Sequence, residues 1–205
     1  MRAEIDTPHG PAVAELHSAA EGRAGLLLGH GAGGGIKAPD LVAACRGATA
    51  AGVHVALVEQ PYRVAGRRAP APAAQLDTAW LAVARHLSTL WFEGLPLLFG
   101  GRSSGARVAC RTAEVGEAVG VVCLAFPVHP PGKPEKTRQP ELDAVTAPIL
   151  VVQGESDPFG QPTPGHLRDI VRVPGDHSLK RDIPTISRAV EEWLGRILRP
   201  LDQLG

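Results

Sequence analysis

Cysteine is too scarce and too badly spaced to organise anything in this chain. Cys45, Cys110 and Cys123 are an odd number without a C-x-x-C pair, which excludes a disulfide framework and a cysteine zinc site. They read as small buried hydrophobes in a reducing compartment. A surplus of charge is missing as well. The 21 basic and 21 acidic side chains cancel, so nothing attracts a polyanion and no nucleic-acid partner is expected. No apolar run approaches the ~20 residues that cross a bilayer. Arg2, Glu4 and Asp6 interrupt the amino-terminal segment where a targeting peptide would be apolar. These absences predict a cytoplasmic protein with no membrane partner. Aromatics are 4% of residues, too few and too scattered to mark an interface, so the sequence leaves the oligomeric state open.

What is present is regular. At 205 residues the chain can bury one sizeable core, and positions 1–205 are expected to form a single domain. Its 24 Gly and 19 Pro fall between apolar runs and punctuate them. The segment 1–18 alternates apolar and polar residues around Thr7-Pro8-His9-Gly10-Pro11, which predicts two edge strands joined by a turn. Buried strands are then predicted at 24–29, 53–58, 96–99, 119–126, 149–153 and 170–173. Helices are predicted at 40–51, 77–90, 106–115 and 185–198, with Asp40 as the expected cap of the first. Strands apolar on both faces that alternate with helices imply an α/β fold, a mostly parallel sheet with helices on both faces and about six parallel strands. The Pro-rich stretch from Pro127 toward Pro148 is expected as a long loop, too short for a separate lid domain.

Two glycine motifs invite a functional reading. Gly29-His30-Gly31-Ala32-Gly33-Gly34 satisfies G-x-G-x-x-G after an apolar run, and Glu59 ends the next run where a ribose-binding acid sits in dinucleotide-binding units. That unit needs its third glycine in the first turn of a helix. Here Pro39-Asp40 starts a helix of its own a few residues later, so the glycines belong to an extended loop. A His-Gly-x loop after an early strand has another use, presenting a backbone N–H to an oxyanion. Ala32 is the expected donor, with His30 holding the loop through a side-chain hydrogen bond. A glycine-rich turn without a ligand is the plain alternative.

The second motif, Gly101-Arg102-Ser103-Ser104-Gly105, lies between a buried run and a helical one and is G-x-S-x-G at a strand-to-helix turn. Such a turn has no space for bulk beside the nucleophile, which accounts for the two glycines and projects Ser103 outward. The chemistry needs an acid and then a histidine, each beyond the carboxyl end of a later strand. Gly154-Glu155-Ser156-Asp157-Pro158 follows the run 149–153, and Pro174-Gly175-Asp176-His177 follows 170–173. Asp157 is the expected acid, with Glu155 in reserve, and His177 the expected base. Taken singly, an aspartate before proline starts a turn and a loop histidine needs no function. Their joint order with Ser103 and the His-Gly-x loop selects the hydrolytic reading, and the backbone N–H of Ser104 becomes the second expected oxyanion donor.

The chain resembles the α/β-hydrolase superfamily in its dienelactone-hydrolase-like branch. More narrowly, it resembles small bacterial hydrolases related to the testis-expressed hydrolase-like proteins. The hydrolase-like domain in the third subunit of the nonspecific-lethal chromatin complex belongs to the same group. The resemblance is carried by Gly29-His30-Gly31-Ala32-Gly33, Glu59-Gln60-Pro61-Tyr62-Arg63, Gly100-Gly101-Arg102-Ser103-Ser104-Gly105, Leu124-Ala125-Phe126-Pro127-Val128-His129-Pro130-Pro131, Gln153-Gly154-Glu155-Ser156-Asp157 and Gly175-Asp176-His177-Ser178. It covers nearly the whole chain and implies a minimal three-layer α/β-hydrolase core without a cap domain, with Ser103 as nucleophile, Asp157 as acid and His177 as base. It leaves the substrate open. Some relatives act as assembly components, so a non-catalytic binding or assembly module is the alternative.

Acyl transfer to water needs no cofactor, and no cluster in the sequence has metal-ligand spacing, so neither a cofactor nor a metal is expected. The expected substrate is a small carboxylic ester, because without a cap only short loops select it. Tyr62, Arg63, Arg102 and His129, with Gln60 and Arg138 beside them, are expected on those loops as substrate-binding residues. Arg63 and Arg102 have two open readings: pairing with an anionic group of the substrate, or holding loops through main-chain carbonyls.

Overall fold

The computed structural model describes residues 1–199. Its strands are β1 (Arg2–Ile5), β2 (Ala12–His17), β3 (Ala24–Gly29), β4 (Val53–Glu59), β5 (Leu97–Arg102), β6 (Val121–Leu124), β7 (Ile149–Gly154) and β8 (Arg168–Val173). They form one eight-stranded sheet in the order β1-β2-β4-β3-β5-β6-β7-β8. The hairpin β1-β2 and the pair β2-β4 are antiparallel, and every pairing from β4 to β8 is parallel. The helices are α1 (Pro39–Ala50), α2 (Pro61–Val64), α3 (Ala73–Leu90), α4 (Ser104–Thr112), α5 (Gln139–Asp143) and α6 (Ile183–Ile197).

The continuous apolar runs of the central strands follow from burial on two faces. Successive side chains of a strand point to opposite sides of the sheet. Leu26 and Leu28 accordingly pack with Leu41 of α1 and with Val190 and Trp193 of α6, whereas Leu27 packs with Trp80 of α3 and Val108 of α4. β6 divides in the same way, Val122 and Leu124 to one core and Val121 and Cys123 to the other. Each such leucine contributes about 1.5–3 kcal/mol on leaving water, so a polar interruption in these runs is costly and needs a reason. α3 buries Leu76, Ala79, Trp80, Val83 and Leu87 at the helical spacing that its sequence shows.

Several elements differ from the sequence pattern. α1 begins at Pro39 with Ala38, not Asp40, as its cap residue, and Asp40 lies inside the first turn, where its Oδ1 accepts from Leu41 N. Pro39 accounts for this, since proline suits the first helical position, where its missing N–H costs nothing. α3 starts at Ala73, four residues before the expected 77, and α4 spans Ser104–Thr112, so the helix begins directly at the second serine of the motif. The loop expected from Pro127 to Pro148 contains α5, and α2 follows β4. Helices of four and five residues are too short to show a period of 3.6. β8 extends back to Arg168 because it is an edge strand, half-exposed, and pairs through its backbone with β7 whatever its side chains.

Topology brings the two glycine motifs together. β3 lies between β4 and β5, and Gly29 is the register partner of Gly101. The chain leaves β3 toward β4 and returns across it to β5. The segments after β3 and β5 therefore emerge side by side where the strand order reverses, which is where an open α/β sheet leaves a crevice at its carboxyl ends. With α1 beginning only at Pro39, the glycines after Gly29 lie in a loop.

Candidate active site

Ser103 stands between β5 and α4 with φ 51° and ψ −110°, a left-handed conformation that costs a non-glycine residue about 1–3 kcal/mol. The surroundings hold it there. Ser103 N–H donates to Leu124 O of the neighbouring strand at 2.9 Å, and its carbonyl accepts from Arg107 N at 3.2 Å. A Cβ on Gly105 would lie 2.5 Å from Gly29 O, and one on Gly101 would lie 2.6 Å from the carbonyl carbon of Gly105. Both glycines are thus demanded by backbone packed on backbone, and only this packing lets the serine side chain project from the crossing.

Asp157 follows β7 and His177 follows β8. His177 Nδ1 is 2.8 Å from Asp157 Oδ2, and His177 Nε2 is 2.9 Å from Ser103 Oγ. The proton positions follow from chemistry: an ionised carboxylate only accepts, so Nδ1 donates to it, and Nε2 of the neutral ring is left to accept from the serine hydroxyl. The Asp157 side chain is fully buried, while that of His177 keeps 16% of its surface exposed. Glu155, the reserve acid, is exposed.

Several residues that the sequence pattern did not single out surround this chain. Gln153 Nε2 donates to Asp157 Oδ2 at 2.9 Å, and Phe159 N donates to Asp157 Oδ1 at 2.8 Å. With His177, three donors converge on one carboxylate. The Phe159 ring stacks on His177 with centroids 4.1 Å apart and planes inclined by 29°. Ser156 N and Oγ both donate to Gly175 O, each at 2.9 Å, tying the acid loop to the histidine loop. One signal for this shell was readable: Gln153 ends an otherwise apolar buried run, and a buried amide requires partners.

The loop after β3 is fastened from below. His30 Nε2 accepts from Gln60 N at 3.1 Å, so Nδ1 carries the proton and donates to Gly31 O at 2.8 Å. Burial holds the His30 ring below its usual pKa, which keeps it in the neutral form this arrangement needs. Tyr62 Oη donates to Ala32 O at 2.9 Å. The fastened loop runs past the nucleophile turn, a Cβ on Gly31 lying 3.6 Å from that of Ser103, and at the start of α4 Ser104 N–H, as the first of a helix, has no intrahelical acceptor.

Of the residues expected to bind substrate, Tyr62, Arg63, Arg102 and His129 all direct polar atoms to main-chain carbonyls. Tyr62 serves Ala32 O, Arg63 Nη1 serves Arg67 O at 3.3 Å, Arg102 Nη2 serves His177 O at 2.9 Å, and His129 Nδ1 lies 2.9 Å from Pro130 O. Arg138, also expected there, donates to Pro127 O at 3.3 Å. Arg63 and Arg102 thus each spend at least one N–H on a main-chain carbonyl. Arg102 further pairs with buried Asp40, Nε to Oδ2 at 2.8 Å. A cleft of about 360 Å³, lined by Leu97, Gly116 and Val119, opens at the amino ends of β5 and β6 and contains none of these residues. Hydrogen-bonded chemistry therefore locates the site, and cavity size does not. Among the described residues no group of His, Cys, Asp and Glu is arranged to hold a metal ion, and no helix is long and apolar enough to cross a membrane.

Comparison with known proteins agrees with this architecture. A serine hydrolase without lid from Xanthomonas campestris superposes with a TM-score of 0.79 at 21% identity, covering 97% of this chain and 95% of that one. Est1E from Butyrivibrio proteoclasticus gives 0.77 at 17% identity over 96% and 98% of the two chains. A dienelactone hydrolase from Anabaena variabilis gives 0.75 at 17% identity over 97% and 98%. At these identities the likeness establishes the fold alone, in its minimal form without a cap domain among the described residues. The family model of the alpha/beta hydrolase domain matches residues 22–183, and with most of the chain so covered the protein belongs to the alpha/beta hydrolase family.

Proposed function

We propose that the protein is a serine hydrolase that cleaves a small carboxylic ester through an acyl-enzyme intermediate. The observation that carries this is the unbroken hydrogen-bonded chain from buried Asp157 through His177 to Ser103. In the proposed reaction Ser103 Oγ attacks the ester carbonyl carbon as its proton passes to His177 Nε2, and Asp157 orients the ring and compensates the imidazolium charge. The N–H groups of Ala32 and Ser104 receive the oxyanion, a stabilisation worth ~10²–10³ in turnover per donor. Collapse of the tetrahedral intermediate breaks the bond to the alkoxide oxygen, which leaves as alcohol with the proton from Nε2. Water then adds to the acyl-enzyme with His177 as base, and the acid is released with Ser103 restored.

The capless core and the esterases among the fold neighbours support a small or partly exposed substrate. With Arg102 paired to Asp40, the reading does not ask that guanidinium to bind an anionic group. The test is labelling with a fluorophosphonate serine probe alongside turnover of p-nitrophenyl acetate. The wild type is expected to label and turn over, and Ser103→Ala to do neither, with a loss of about 10⁶ in kcat. Failure of the folded wild type to label or turn over overturns the proposal in favour of a binding module.

A further inference from the structure

The first variable position of the nucleophile motif holds an arginine whose surroundings the hydrolytic reading leaves unused. Arg102 is the last residue of β5, directly before Ser103. Its Nε faces Asp40 Oδ2 at 2.8 Å and its Nη2 donates to His177 O at 2.9 Å. On its remaining side, a Cβ on Gly31 would come within 2.9 Å of Nη1. One guanidinium thus touches α1, the histidine loop and the oxyanion loop while its backbone forms the nucleophile turn.

We infer that Arg102, charge-compensated by buried Asp40, is a positioning residue that fixes the His177 main chain against the Ser103 turn. This rests on the serine-hydrolase reading of the site. Ser103 and His177 lie on separate segments, and each is anchored mainly to its own neighbours: Ser103 to Leu124, and the histidine loop through Gly175 to Ser156 and through Ser178 and Leu179 to Asp176. Among the described residues, the bond from Arg102 to His177 O is the one hydrogen bond joining residues 101–105 to 174–179 apart from that between the Ser103 hydroxyl and the ring itself. A reactive pair held only by its own hydrogen bond is free to separate whenever the hydroxyl attacks. The guanidinium fork supplies the missing rigid strut.

Asp40 has a distinct part in this. Its carboxyl is 1% exposed, in the first turn of α1, with Oδ1 accepting from Leu41 N at 3.0 Å. Burial pushes the Asp40 carboxyl up from its usual pKa while the Arg102 charge opposes that shift, as expected of an acid retained for its partner. It also cancels a cation that would otherwise stand close to the imidazolium formed in each half-reaction. Lysine cannot replace the fork, because an ammonium is a point charge without two fixed parallel donors.

The test separates positioning from simple structural support. Arg102→Met alone strands a buried carboxylate, so it is measured beside Asp40→Asn, the double variant, and Arg102→Lys. A misplacement of about 1 Å costs ~10² in rate, so Arg102→Met and the double variant are expected to lose 10- to 100-fold in kcat with KM within about twofold. The double variant is expected to regain most of the Tm lost by Arg102→Met without regaining turnover, and Arg102→Lys to recover only part of it. Turnover that returns with Tm in the double variant overturns the inference, as does a rise in KM at unchanged kcat, the signature of substrate binding. Fluorophosphonate labelling of the wild type is run in parallel. If the wild type fails to label, the hydrolase reading has failed and amide hydrogen exchange decides the inference alone. Arg102→Met must then raise exchange at Ser178 and Leu179 about tenfold, relative to a control substitution at exposed Arg196, and equal exchange overturns it.

Discussion

Replacing Gln153 by leucine tests whether the acid of the triad is held from behind. Gln153 is fully buried, and its Nε2 serves Asp157 Oδ2 at 2.9 Å, Gly160 O at 2.9 Å and Phe126 O at 3.1 Å. Leucine is similar in size and removes an NH₂ whose two N–H groups are shared among the three acceptors; Asp157 Oδ2 keeps its bond from His177, so Gly160 O and Phe126 O are the two that lose their donor. A buried acceptor left without its donor costs about 1–3 kcal/mol. Against this, Gln153 Oε1 is itself buried without a protein partner, and its removal returns about one such penalty. The net is a loss of about 1–3 kcal/mol, a large share of the ~5–15 kcal/mol that stabilises a typical domain. With a urea slope of ~2 kcal/mol/M the unfolding midpoint drops by about 0.5–1.5 M at unchanged slope. Asp157 keeps Phe159 N and His177 as partners, so kcat for p-nitrophenyl acetate falls about tenfold while KM stays. A midpoint shift below about 0.5 M, or a KM effect in place of a kcat effect, refutes the reasoning.

Asp157→Asn places an amide where three donors converge. Whichever way it turns, its NH₂ faces either Phe159 N–H or the His177 and Gln153 donors, so kcat is expected to fall by ~10³–10⁴ with KM little changed; a loss under tenfold refutes the role. Phe159→Ala removes the ring stacked on His177 and is expected to lower kcat about tenfold, measured with the same ester; wild-type turnover would show that the stacking does not hold the imidazole. His30 gives a pH dependence of stability. Its folded pKa lies below the unfolded 6.5, so the unfolded state takes up a proton first, and the stability present above that value is lost as pH falls toward the depressed one. The slope is at most about 1.4 kcal/mol per pH unit. Urea midpoints between pH 7.5 and 5 for wild type and His30→Gln should diverge, the variant losing less with acid, and parallel curves would contradict it.

The three residues that meet in one hydrogen-bonded chain were legible because each carries a local mark. Ser103 sits between glycines at the end of an apolar run, and Asp157 and His177 directly follow two others, so strand ends and chain order sufficed without any tertiary information. The parallel sheet was legible for the same reason, since Leu26, Leu27 and Leu28 read as a run only because the strand is buried on both sides. The supports are different in kind. Asp40 and Arg102 lie 62 positions apart and meet only because α1 and β5 converge at the carboxyl end of the sheet. An aspartate beside a helix start has a ready local explanation as a cap, and that explanation hid the tertiary one. Phe159, two residues beyond the acid after a proline, has no period at all, and its value lies in a ring it meets across the fold. The short helices α2 and α5 fail for another reason: one turn of helix leaves no repeat to count.

The side chains around Ser103 follow from what a capless fold must solve. Loops at the carboxyl end of a parallel sheet carry main-chain carbonyls that no strand pairs, and every such group needs a donor once it is shielded from water. A cap domain would shield and brace those loops from above. Without one, long donors from below do the work: Tyr62 for the carbonyl of Ala32, Arg63 for Arg67, Arg102 for His177, Gln153 for Phe126 and Gly160. In the sequence Tyr62, Arg63 and Arg102 read equally well as substrate contacts or as loop supports, since composition and position look alike in both cases. The deciding quantity is geometric. A guanidinium with Asp40 on Nε and a carbonyl on Nη2 commits two of its five N–H groups to joining α1 with the His177 main chain. Its chemistry therefore acts on the reaction by fixing where the imidazole stands.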